Sequence, residues 1–171
     1  FFVSRVDAKV DALLPGDSSL RGRIAIANTR RAYAHYLDRY SEDPGLADDR
    51  WLTLRDAGAR PQRPLWASTG TKNPAYSDVL YVEKLITQGA VNTMPQATMR
   101  AFADHGDLSH PLGIAGASNT TLRRAQEEGI ELDAITAQLE RDGVRSFCDS
   151  YHDLLHCIET KLQRMDGGTS V

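Results

Sequence analysis

The stretch Arg63-Pro64-Leu65-Trp66-Ala67-Ser68-Thr69-Gly70-Thr71-Lys72-Asn73-Pro74-Ala75-Tyr76 decides how the rest of the chain is read. It opens as a short apolar run, Pro64 to Thr69, and breaks into a small polar loop carrying Gly70 and Lys72. Pro74 marks where that loop gives way to the next element. A strand ending on Ser68, Thr69 and a glycine turn has the parts of an anion site. Backbone N–H groups can approach an anion at Gly70, two hydroxyls can donate, and Lys72 supplies a flexible charge.

Two further apolar runs resemble the first. Phe1 to Val6 reads as a strand, and Ala90 to Met94 as another, stopped by Pro95. Between them the spacing predicts helices. A short helical pattern covers Lys9 to Leu14, and a long amphipathic helix runs from Leu20 to about Tyr40, capped by Asp17 or Ser18. Its arginines, Arg21, Arg23, Arg30, Arg31 and Arg39, mostly fall off the apolar stripe and read as a solvated face. Arg50 to Ala57 is a second helix, ended at Gly58. Ser77 and Asp78 cap a third, running to Ile86. Pro95 opens a helix through QATMRAFADHG, with Gly106 as its C-cap. Residues 107–117 read as a loop, and Ser118 to Glu128 and Asp133 to Arg141 as helices. Gly143 is expected to break the chain before a last helix, Val144 to about Met165. Residues 166–171 read as a flexible tail.

Strands alternating with helices argue for parallel βαβ units in an α/β fold. Three short, mostly apolar strands suit a sheet covered on both faces, but are too few to close a barrel, which needs eight. The apolar start at Phe1 points the same way, to strands that precede this segment in a longer polypeptide.

Composition narrows the function classes. The 171 residues are 41% hydrophobic and 25% charged, ordinary for a globular domain. A formal net charge of -3 gives no electrostatic reason to expect nucleic acid or an anionic membrane as partner. No window approaches the roughly 20 apolar residues a bilayer demands. Cys148 and Cys157 are nine apart in one helical pattern, about 13 Å, beyond the roughly 7 Å a disulfide allows. They read as free thiols, as in a reducing cytoplasm. His152 and His156 have the i,i+4 spacing of a zinc helix, yet Asp153 stands where the catalytic Glu of H-E-x-x-H would be and no third ligand is evident. We expect no metal.

The block RPLWASTGTKNPAYSDVLYVEKLI, followed by AVNTMPQATMRAFADHG and preceded by FFVSRVDAKVD, resembles the transaldolase family in its actinobacterial and cyanobacterial form. The resemblance implies the C-terminal part of a (β/α)8 TIM barrel, with residues 1–6, 64–69 and 90–94 as strands six, seven and eight. Residues 1–165 would be that portion of a single barrel domain. It also implies transfer of a dihydroxyacetone unit between sugar phosphates, without a cofactor. Donors and acceptors would be sedoheptulose 7-phosphate, fructose 6-phosphate, glyceraldehyde 3-phosphate and erythrose 4-phosphate. The Schiff-base lysine and two carboxylates would lie in the missing N-terminal half, so the chain alone would be inactive. The family layout gives Arg5, in a pattern resembling S-x-F-V-[G/S]-R, the substrate phosphate. Ser68 matches a serine that also contacts phosphate. Where some members have an arginine two residues after that serine, this chain has Gly70, and we assign the charge to Lys72. Thr69, Asn92 and Thr93 are candidate pocket lining, and Trp66 is candidate core. The alternatives are a non-catalytic phosphosugar-binding half-barrel and one portion of a fusion with phosphoglucose isomerase.

Overall fold

The computed structural model describes residues 1–41, 43, 45, 48–109 and 116–166. They divide into two units, Phe1–Glu131 and Leu132–Val171. The first unit is built around three parallel segments. Strand β1, Leu65–Trp66, pairs in parallel with strand β2, Val91–Asn92, Leu65 opposite Val91 and Trp66 opposite Asn92. On the other edge of β1, Phe2 forms a parallel bridge with Ala67. The Val3 N–H donates to the Ala67 carbonyl at 2.9 Å, and the Ser4 N–H to the Ser68 carbonyl at 3.0 Å. The expected parallel α/β arrangement is present, with the three segments side by side in chain order.

The strand expected over residues 1–6 is shorter than its composition suggests. Helix α1 spans Ser4–Val10, so Arg5 lies in the first turn of a helix rather than at a strand end. Val3, Val6, Val10 and Leu14 are all buried, at spacings of three, four and four. That is helical periodicity, and it wins over the β-branched content of the run once Asp7 joins the buried face. The other strands are likewise shorter than expected, two paired residues each.

Helix α2, Ile24–Tyr40, starts four residues later than the pattern predicts. Ser18 caps only its own turn, its hydroxyl accepting from the Leu20 N–H. The first turn of α2 is capped at long range, by Asp7 Oδ1 accepting from the Ala25 N–H at 2.7 Å. Ile24, Ala25, Ile26 and Ala27 are all buried there, against α1 on one side. Helix α3, Asp49–Asp56, is capped by Asp48 and closes before Gly58, close to expectation. Helix α4, Leu80–Lys84, contributes buried Tyr81 and Val82, and helix α5, Gln96–His105, runs to the Gly106 cap. Helix α6, Gly116–Glu127, packs on α2.

Trp66 is 2% exposed, the core position expected of it. Tyr33 meets it edge-on, and Tyr33, Tyr36, Tyr40 and Trp51 continue as a ladder of rings 5.0–5.9 Å apart.

The second unit is one helix, α7, Leu132–Asp166. The break expected at Gly143 is absent. One glycine costs a helix about 1 kcal/mol, too little to stop 35 residues of otherwise helix-compatible sequence. Gln138 and Asp142 bond across the turn at 2.7 Å just before it. Cys148 and Cys157 are free and exposed on α7, as expected. The tail from 167, and most of the expected loop before α6 (110–115), lie outside the described residues.

Candidate functional site

The C-terminal ends of the parallel segments converge on the stretch from Ala67 to Lys72. Ser68 has φ 55°, making it the one non-glycine residue with positive φ among those described. An L-residue in this region carries strain of order 1–2 kcal/mol. The strain turns the chain sharply out of β1, directly after the Ser68 carbonyl has accepted its bond from Ser4. Ser68 itself is half-buried.

Thr69 follows and is fully buried. Its hydroxyl donates to Asn92 Oδ1 at 2.7 Å and lies 3.1 Å from the Thr93 carbonyl. In return, the Thr93 N–H and hydroxyl reach the Trp66 carbonyl at 2.8 and 3.2 Å. Thr69, Asn92 and Thr93 therefore form one hydrogen-bonded unit joining the ends of β1 and β2. Asn92 is half-buried and Thr93 exposed.

Gly70 runs close over the start of α5. A Cβ placed on it would lie 3.0 Å from the Thr98 hydroxyl and 3.3 Å from the Pro95 ring. That helix start has no side-chain cap and no acidic residue in its first turn. Its unsatisfied N–H groups and the positive end of its dipole are open to an anion. Lys72 is exposed. Arg5 is half-buried with its guanidinium 4.9 Å above the Phe2 ring. Ser4 joins its backbone to Ser68, so Arg5 leaves the sheet beside the strained serine. The structure thus unites Ser68, Thr69, Asn92 and Thr93 and puts Arg5 next in chain to a residue paired with Ser68. Lys72 makes no hydrogen bond with any of these among the described residues.

Sequence reading missed a second polar cluster, on and just after α1. Asp7 is 1% exposed and accepts from the Ala25 N–H and, at 2.8 Å, from the Tyr81 hydroxyl. Burial pushes its carboxyl up to about 6, against the opposing pull of those hydrogen bonds. One turn on, Asp11 accepts from the Gly22 N–H at 3.1 Å and from the Tyr76 hydroxyl at 2.5 Å. Arg21 donates to the Asp11 and Leu14 carbonyls. The i,i+4 spacing of two acids on the valine face was the available signal.

The amino-acid sequence matches the family model described as transaldolase/fructose-6-phosphate aldolase over residues 1–158. The chain belongs to the transaldolase/fructose-6-phosphate aldolase family. Membership implies a TIM-barrel fold. A transaldolase of Saccharopolyspora erythraea is 44% identical over 169 residues, 96% of this chain and 44% of the relative's length. Transaldolases of Thermobifida fusca and Mycolicibacterium smegmatis are each 43% identical over 169 residues, 95% of this chain and 44% of theirs. The chain thus spans under half the length of these transaldolase relatives. Among its described residues no helix is long and apolar enough to cross a membrane.

Proposed function

We propose that the chain forms the C-terminal part of a transaldolase barrel and grips the phosphate of the sugar substrate. The observation that carries this reading is Ser68 held at φ 55° where the loop crosses the uncapped start of α5. Strain held at a strand end, beside free helical N–H groups, suits a site organised before its ligand arrives.

On this reading Arg5 offers a planar fork to two phosphate oxygens, Ser68 donates its hydroxyl, and Lys72 adds a mobile point charge. Thr69 takes the role of a positioning residue. With its oxygen engaged by Thr69, Asn92 presents its amide N–H groups to a substrate hydroxyl, and Thr93 lies on the exposed side of the same unit. The substrates would be ketose and aldose phosphates such as sedoheptulose 7-phosphate, fructose 6-phosphate, glyceraldehyde 3-phosphate and erythrose 4-phosphate. The Schiff-base lysine that carries the dihydroxyacetone unit would lie on a part of the barrel outside these 171 residues.

The test uses the parent polypeptide with fructose 6-phosphate and borohydride. An irreversible adduct on a lysine preceding this segment is the expected result. An adduct on Lys72, or no adduct, overturns the assignment. Arg5→Leu should raise KM for phosphorylated donors about tenfold while leaving an unphosphorylated ketose nearly unaffected.

A further inference from the structure

The arginine-rich side of α2 is only partly the solvated face its sequence suggests. Arg23 and Arg30, with Ile26 and Ala27 between them, line one wall of a groove of about 410 Å³. Lys84 and Leu80 of α4 form the opposite wall, and Thr121 of α6 closes one end. All of these belong to the first unit.

Three cations face this space, and none of the lining residues is acidic. None of the three makes an ion pair with a carboxylate among the described residues. Arg30 is half-buried, and desolvation there lowers its affinity for its proton. It donates instead to the Lys84 carbonyl at 3.4 Å, while its Nε–H is buried with no acceptor among the described residues. The nearest acid in sequence, Glu83, is engaged elsewhere, accepting from the Asp107 N–H at 2.9 Å. Gathering like charges around a partly desolvated wall costs free energy unless an anion offsets it.

We propose that this groove is a second anion site, distinct in its residues from the loop after β1, and that it takes a small phosphate ester or pyrophosphate. Arg23 and Arg30 supply fork donors and Lys84 a point charge. Ile26, Ala27 and Leu80 give the carbon body an apolar floor. The volume is within the usual range for small-ligand pockets.

Pyrophosphate is the probe. Acetic anhydride labelling of the unmodified chain, read lysine by lysine, should slow at Lys84 by about tenfold when pyrophosphate saturates the site. Lys161 on α7 should be unaffected, and sodium chloride at matched ionic strength should not reproduce the protection. Lys72 reports the loop separately in the same experiment. Equal labelling of Lys84 with and without pyrophosphate, or equal protection by salt, overturns the proposal. Calorimetry of Arg23→Gln, an exposed position, gives an independent reading. Affinity should fall about tenfold with an unchanged thermal midpoint. Unchanged affinity in that variant overturns it as well.

Discussion

Thr69 and Ser68 are neighbours with opposite duties. The Thr69 hydroxyl is fully buried on Asn92 and the Thr93 carbonyl, so Thr69→Val leaves Asn92 Oδ1 without its partner at the end of β2. We expect a loss of about 1–2 kcal/mol in denaturant unfolding, with weaker substrate binding as a secondary effect. Ser68 is the reverse case. Ser68→Gly relieves a φ of 55° and should gain up to about 1 kcal/mol of stability while weakening phosphate binding. A variant both less stable and fully competent to bind would show that the strained turn serves packing alone. Asp7 carries a pH signature. Its carboxyl keeps a proton to about pH 6 in the folded chain but releases it near 3.8 when unfolded. The folded state binds the extra proton across that window. Its contribution is therefore complete below about pH 4 and lost as pH rises through 6. The stability difference between wild type and Asp7→Asn should shift by about 2 kcal/mol between pH 4 and 7. Parallel stability–pH curves for the two would rule it out.

At the scale of elements, helices with local stop signals were legible and those with distant ones were not. Gly58, Pro95 and Gly106 mark helix ends in their own vicinity, and α3 and α5 fall within a residue or two of expectation. The start of α2 is set by Asp7, 18 residues earlier, which no local pattern encodes. The switch from Phe2 to α1 was hidden for a different reason. Phe1-Phe2-Val3 suits a strand and Val3-Val6-Val10 suits a helix, and only the bridge to Ala67 locates the change. The turn before α2 rests on Gly22, which has φ 70° and whose Cβ would come within 2.9 Å of the Tyr76 ring. Gly22→Ala should cost about 2 kcal/mol, visible as a lowered thermal midpoint, and should disturb the Tyr76–Asp11 bond. A neutral result would mean that the turn relaxes freely, against the geometry seen here.

For the molecule as a whole, the parallel α/β class was legible because strands alternate with helices over residues 1–105. The candidate site was legible only as a loop. Its hydrogen-bonded staple, its helix end and the acids on and just after α1 come from residues far apart in sequence, such as Thr69 with Asn92 and Asp7 with Tyr81. The single helix α7 escaped because Gly143 looks like a stop when its neighbours are ignored. Phe147, Tyr151, Leu154 and Ile158 lie on α7 at spacings of three and four, each between 46% and 68% exposed. Exposed apolar area of this kind binds dyes that fluoresce in apolar surroundings. The native chain should brighten such a dye, and Phe147→Gln with Leu154→Gln should reduce the signal markedly. No change would locate the dye elsewhere. The long-range cap on α2 has one more consequence, in time rather than space. The Ala25 amide is shielded by a carboxylate that arrives only when α1 docks, so its deuterium uptake should await wholesale opening of the unit. Amides near Tyr40, at the fraying end of the same helix, should exchange by local breathing long before. One helix would then show two clocks, and α1 would be the element that sets the slower one.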